Sequence, residues 1–275
     1  MKIRKSSSLW NQFDNSNGYK NKNVEVLENG NYKIRFESKK FIIFQSTICT
    51  SAKLEKSSNF LIDSSSNLYI NNNGEGWSNE SLLNNYKSFI GANLCMDHPS
   101  TPDIDNVGVI LDAVLRKKWI DQKIGSFVYY VDILCALDKN SKGGKIAKLV
   151  LDGSMQYQSM GCDVKYSFCS RCGHRVDYEN SSSYNSASLE CQHLKYAKGR
   201  KFLDSNGAER ITAELLGKEK GSVTFVEASL LTNHPASKAA ILSRIFPITS
   251  KSEVIEIEIP KDAIEKAAVQ KYLIS

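Results

Sequence analysis

Two short metal-binding half-sites most constrain how this chain can fold. Cys169-Ser170-Arg171-Cys172 sets two thiols with two residues between them, and Cys191-Gln192-His193 adds a thiol and an imidazole further on. Paired thiolates at this spacing grip one ion from a tight knuckle, and the second pair completes a tetrahedron. Three sulfurs and one nitrogen suit zinc in a structural role, since four protein donors leave no open position for chemistry. Gly173 supports the knuckle by letting backbone amides turn toward sulfur. The surrounding stretch, 163–201, is poor in large aliphatics and rich in Ser, Asn, Tyr and Cys. Such a segment cannot build a core alone and needs a staple. His174 is a rival fourth ligand, disfavoured by its closeness to Cys172, and Cys162 is another.

The rest of the chain argues for a soluble protein kept in a reducing compartment. Met1-Lys2-Ile3-Arg4-Lys5 is followed by Ser6-Ser7-Ser8, where a signal peptide needs an apolar run. No apolar stretch is long enough to span a membrane. Seven cysteines in a cytosol do not form a disulfide framework. Cys49, Cys95, Cys135 and Cys162 therefore read as buried free thiols. A net charge of +6 permits an acidic partner or nucleic acid without demanding either. The run Lys195-Tyr196-Ala197-Lys198-Gly199-Arg200-Lys201 interleaves charge and an aromatic, as a single-strand binder does. A solvated basic loop is the simpler reading of it.

Periodicity gives a β-rich chain with a few short helices. Tyr32–Phe36, Phe41–Ile48, Leu68–Ile70, Val107–Val114, Phe127–Leu137, Met155–Gly161, Ser222–Leu231 and Val254–Ile259 read as strands. Asp132 interrupts one of them and needs a partner if buried. Ser78 is a helix N-cap, with Trp77 and Leu82 placed as a hydrophobic staple and Gly91 as the stop. Lys145–Leu151, Ser237–Arg244 and Lys261–Leu273 read as short helices. Residues 1–29 are polar and read as a flexible arm.

Ser159, in Ser159-Met160-Gly161-Cys162, lies on the strand that leads into the metal-binding stretch. A serine becomes a nucleophile only with a base in reach and a third group to orient that base. Of four histidines, His193 is claimed by the metal and His174 lies inside the metal module. His98, in Met96-Asp97-His98-Pro99, and His234, in Asn233-His234-Pro235, remain as bases. By spacing alone, a lone strand serine is more often a packed or hydrogen-bonded one.

Three separated motifs change that balance. His98 precedes the Gly-containing strand Val107-Gly108-Val109-Ile110-Leu111-Asp112. Ser159-x-Gly161 is followed by an apolar residue. Glu227-Ala228-Ser229-Leu230-Leu231 leads to Pro235-Ala236. In their nature and order these resemble the prohead (head-maturation) serine proteases of tailed phages, a family related to herpesvirus assemblin. The Cys-rich insert resembles a variant group with a finger after the Ser-x-Gly strand. The resemblance spans His98 to Ala236, about half of the chain.

The resemblance implies a serine endopeptidase. Ser159 would attack the scissile carbonyl, His98 would take its proton, and Glu227 would orient the imidazole. His234, Asp97 and Asp112 are rivals for the third role, and Ser229 shares the strand face of Glu227. Backbone amides near Gly161 or in the Arg200 region are the candidate oxyanion donors. The implied partners are scaffold or core proteins and the major capsid protein, with self-cleavage, in the bacterial host cytoplasm inside the assembling prohead. A homo-oligomer and a nucleic-acid partner stay open, and no membrane association is expected. The competing class is a non-catalytic virion or scaffold-associated protein that uses the zinc finger to bind nucleic acid or protein.

The expected architecture is α+β: a β-rich, partly closed barrel flanked by helices, with a small zinc-finger insert. Residues 30–162 and 202–246 would form the protease domain and 163–201 the insert. Residues 247–275 would add a C-terminal strand and helix.

Overall fold

The computed structural model describes residues 24–26, 28, 32–37, 41–52, 62–63, 69–98, 106–121, 126–139, 143–178, 189–232, 241–245 and 254–259. The strands begin with β1 (Val24–Val26), β2 (Tyr32–Glu37), β3 (Phe41–Thr50), β4 (Ile62–Asp63), β5 (Glu75–Trp77) and β6 (Asn93–Met96). They continue with β7 (Gly108–Asp121), β8 (Ser126–Asp138), β9 (Tyr157–Val164), β10 (Tyr166–Cys169), β11 (Arg175–Asp177) and β12 (Lys201–Leu203). The last are β13 (Glu209–Ile211), β14 (Glu214–Leu216), β15 (Val223–Leu231), β16 (Ile241–Ile245) and β17 (Val254–Ile259). Among the described residues three short α-helices punctuate them: α1 (Asn79–Asn85), α2 (Gly143–Leu151) and α3 (Gln192–Ala197).

Seven strands form a curled sheet in the order β15-β6-β7-β8-β3-β16-β9, and β9 returns to pair with β15. The ring closes through a narrow seam, since β16 meets β9 at the single registered pair Ile241↔Tyr157. Bulges at Thr47/Cys49, Ile110/Asp112 and Phe225/Glu227 bend the long strands around the core. Phe44, Ile48, Leu94, Ile110, Ile133 and Phe225 are buried in that core. Phe89 and Phe225 stack at 3.9 Å between ring centroids. Asp132 is buried where the barrel wall meets solvent. It accepts from Thr47 Oγ1 at 2.7 Å and from Arg116 Nε at 2.7 Å and Nη2 at 3.0 Å, so the strand tolerates the charge.

Ser78 caps α1 by accepting from the Ser81 amide at 3.0 Å. The helix tightens into a 3₁₀ turn over Tyr86–Phe89, and Gly91, at φ 85°, ends it. That turn feeds β6, the strand running parallel to β15.

Smaller sheets flank the barrel. One has the order β11-β10-β14-β5 and another β12-β13-β4. β10 thus begins after a single residue beyond β9 and joins the metal-ligand stretch to β14 and β5. A third sheet, β1-β2-β17, places Val24–Val26 in a strand inside a stretch read as an irregular arm.

Two local expectations are corrected. Residues 241–244, read as part of a helix, belong to β16, where pairing with β3 overrides a short run that also fits helical spacing. Tyr69 and Ile70 form bends instead of a strand, because the Asn71 side chain folds the chain by accepting from the Asn73 and Glu75 amides. Leu68, His234, Pro235, Ala236 and the helix read at 261–273 lie outside the described residues. Among the described residues no helix is long and apolar enough to cross a membrane.

Candidate active site and metal centre

Two rungs across three neighbouring strands build the first site. Ser159 on β9 is registered with Ser229 on β15, and Ser229 with Cys95 on β6. Two residues along, Gly161 is registered with Glu227, and Glu227 with Asn93. Since side chains alternate along a strand, residues of both rungs share one sheet face. Met160, Cys162, Ala228 and Phe225 belong to the other face, which packs the barrel core.

His98 reaches this face from the turn after β6. Its Nδ1 lies 2.6 Å from Glu227 Oε1. The Glu227 side chain is only 6% exposed, whereas that of His98 is 43% exposed. Glu227 Oε2 accepts from the Ser229 hydroxyl at 2.9 Å, and the buried Cys95 thiol also donates to Glu227. The same Ser229 oxygen accepts from the His98 amide at 3.2 Å. Ser229 therefore holds both the carboxylate and the backbone that carries the imidazole.

The turn itself is strained. Asp97 and His98 both lie in the left-handed region, at φ 49° and 50°. Asp and His enter that region more readily than most residues, but two in succession need support. The Asp97 amide donates to Leu230 O at 3.0 Å, and its carboxylate accepts from the Thr232 amide at 3.3 Å. Asp97 thus serves the backbone of the turn, and the carboxylate that contacts the His98 ring is that of Glu227.

The electrostatics follow from these contacts. The hydrogen bond to Glu227 pushes the His98 pKa up, against the opposing pull of partial burial. Burial alone would raise the Glu227 pKa, but hydrogen bonds from His98, Ser229 and Cys95 outweigh it and hold the carboxyl below its ordinary value. Binding Glu227 through Nδ1 leaves Nε2 as the ring atom able to exchange a proton. Ser159 lies beside this pair by register. No hydrogen bond joins its hydroxyl to the His98 ring among the described residues. Both hydroxyl residues are buried, Ser229 fully and Ser159 with 6% of its surface exposed, and the Ser229 hydroxyl is already committed to Glu227.

The second site is built by a hairpin and a helix start. β10 ends at Cys169, and the turn to β11 carries Cys172. The Cys169 amide donates to His174 O and the Gly173 amide to Cys169 O, both at 2.9 Å, with Gly173 at φ 71°. Cys191 occupies the N-cap of α3, and His193 lies in its first turn. The donor atoms of Cys169, Cys172, Cys191 and His193 all lie within 4.8 Å of one another. The four residues read as ligands are thus brought together, and the cluster can hold a metal ion.

Local bonds fit that use. The Arg171 amide donates to Cys169 Sγ at 3.4 Å, and the Leu194 and His193 amides donate to Cys191. Burial opposes the Cys191 thiolate, yet these amides and the neighbouring thiols bring its pKa below the ordinary value. His193 Nδ1 is buried without a hydrogen-bond partner, which a metal would supply. His174 is occupied elsewhere, its Nε2 lying 2.9 Å from Leu189 O. Cys162 stays on β9, where burial pushes its pKa up to about 12.

One buried carboxylate ties this module to the flanking sheet. Glu214, directly across from Cys169 in the ladder, accepts from Ser167 Oγ, Tyr178 Oη and Lys198 Nζ, the first and last at 2.7 Å. These donors come from β10, the residue just after β11 and the residue just after α3. No sequence pattern marked Glu214 or the contact of Cys95 with Glu227, because each arises through strands distant in sequence.

No protein-family model, curated protein or solved structure matches this chain.

Proposed function

We propose that this chain is a serine endopeptidase of the prohead-maturation type, with Ser159 as nucleophile, His98 as base and Glu227 as the group that orients it. The observation that carries the reading is the His98 Nδ1–Glu227 Oε1 contact of 2.6 Å on the sheet face that Ser159 shares. A histidine fixed through Nδ1 by a buried carboxylate presents Nε2 to a hydroxyl, the division of labour a triad needs. Ser159 Oγ adds to the scissile carbonyl as His98 Nε2 takes its proton. His98 then gives that proton to the leaving amine, and water hydrolyses the acyl-enzyme with the same base. Glu227 stays ionised throughout and stabilises the imidazolium.

The substrates on this reading are scaffold or core proteins and the major capsid protein of a tailed phage, and the chain itself, within the assembling prohead of a bacterial host. The Cys169, Cys172, Cys191 and His193 cluster takes zinc, which three sulfurs and an imidazole suit. That ion is structural: it fixes the hairpin and α3 behind the strand that carries Ser159.

The deciding experiment is mass spectrometry of wild type and Ser159→Ala after co-expression with capsid and scaffold proteins. Fragments present with wild type and absent with Ser159→Ala are expected. Identical fragment patterns would leave the competing reading, a non-catalytic virion or scaffold-associated protein that binds through its finger.

A further inference from the structure

The outer part of the β7–β8 hairpin carries a surface that hydrolysis does not use. Arg116-Lys117-Lys118-Trp119 runs along β7, and Phe127, Tyr129 and Tyr130 face it from β8 in the registered pairs Trp119↔Phe127, Lys117↔Tyr129 and Arg116↔Tyr130. Lys117 Nζ sits 4.0 Å from the Trp119 ring centroid and 3.8 Å from that of Phe127. Lys118 Nζ sits 5.5 Å from the Tyr130 centroid on the other face. Trp119 is 45% exposed.

The charges there are not all alike. Arg116 is neutralised by Asp132, while the ammonium groups of Lys117 and Lys118 rest over aromatic rings. The basic run near the metal cluster is mixed: Lys195 rests over the Tyr196 ring at 5.4 Å, and its other two lysines are paired. Lys198 is paired with Glu214 and Lys201 with Glu209. Ammonium groups held on rings beside an exposed indole join the two elements of a single-strand site: cations for phosphate and a flat π surface for a base. An acidic polypeptide would use the lysines and leave the indole without a stacking partner.

We propose that the outer part of the β7–β8 hairpin binds single-stranded nucleic acid, with Lys117 and Lys118 on phosphates and Trp119 stacked against a base. This surface is separate from the His98–Glu227 site and does not depend on the hydrolytic reading.

The test is fluorescence anisotropy of a labelled oligothymidine with the full metal-loaded chain at low salt. Binding that weakens as salt rises is expected. Lys117→Gln with Lys118→Gln together should flatten the dependence of log affinity on log salt by about 1.4, the contribution of two phosphate contacts on a single strand. Trp119→Ala should weaken binding about tenfold, with Trp119→Phe in between. Lys201→Gln should leave it unchanged. Circular dichroism and thermal midpoints matching wild type establish that each variant is folded. Absence of binding, binding indifferent to Lys117, Lys118 and Trp119, or equal competition by polyglutamate would each overturn the proposal.

Discussion

The Glu227 side chain lies against Gly161 on the adjacent strand, in space that any other residue would occupy. A Cβ at position 161 would stand 2.8 Å from Glu227 Cγ and 2.9 Å from Oε1. The glycine of the Ser-x-Gly motif is therefore the seat of the carboxylate that holds His98, and it sits two residues from Ser159 on the same strand.

Gly161→Ala should displace Glu227 and loosen its bond to His98. The overpacking is expected to cost about 1–3 kcal/mol of stability. The sharper readout is His98 itself, whose raised pKa depends first on its hydrogen bond to Glu227. An NMR titration of the His98 ring should show the pKa falling back toward its ordinary value. An unchanged pKa would mean that Glu227 moves aside without releasing the imidazole.

The same pair sets a pH window. His98 has a raised pKa in the fold, so its contribution to stability is complete below the ordinary value of 6.5 and is lost as pH climbs through the raised one. Glu227 has a lowered pKa, so its contribution is present above 4.5 and is lost as pH falls through the lowered one. Glu227→Gln should therefore lower the thermal midpoint most between pH 4.5 and 6.5 and less on either side. Solvent around the half-exposed imidazole keeps the difference small. A midpoint difference independent of pH would contradict the ion pair. If hydrolysis is the function, its rate should rise through the raised His98 pKa, since only the neutral ring accepts a proton.

Much of this arrangement was legible in the sequence, and the limits have physical causes. The metal cluster was readable because both half-sites are local: a knuckle and a helix start each need only a few residues. The strands of the barrel were readable from β-branched and aromatic runs such as Val107–Val114 and Phe127–Leu137. The contact of His98 with Glu227 crosses 129 positions and depends on β6 running beside β15, which no local pattern encodes. Cys95 was legible as a buried free thiol, but its contact with Glu227 and the role of Glu214 were not, for the same reason. The left-handed turn at Asp97-His98 could not be anticipated either, because its support comes from Leu230, Ser229 and Thr232 on another strand. Ile241–Leu242 was misread because a short apolar run fits a helix or a strand until its neighbours are known.

Removing metal should unfold the module first. The buried cluster around it is small, formed by Cys169, Val176 and Leu194. Chelation at neutral pH, or Cys169→Ser, is expected to lower the thermal midpoint and make Cys172 and Cys191 reactive toward a thiol reagent, because ligation and folding are one equilibrium. Elemental analysis of native protein should find zinc. Metal-free native protein with an unchanged midpoint under chelation would remove the ion from the account.

Glu214 should prove the most sensitive carboxylate outside the His98 site. Burial opposes its charge, but Lys198, Tyr178 and Ser167 outweigh that and hold its pKa low. Glu214→Ala strips three donors of their acceptor at once and leaves Lys198, among the described residues, with Glu75 at 3.9 Å. Breaking a buried pair from one side costs about 3–5 kcal/mol, and the lower end applies because Lys198 is partly exposed. Glu214→Gln retains an acceptor for Ser167 or Tyr178 but no charge for Lys198, so it should lose less. Urea unfolding of metal-loaded protein should rank wild type above Glu214→Gln and Glu214→Ala last. The two variants should also expose the metal cluster to chelators faster, since the Glu214 donors lie on three segments around it. Wild-type stability in both variants would show that desolvation cancels what the network contributes.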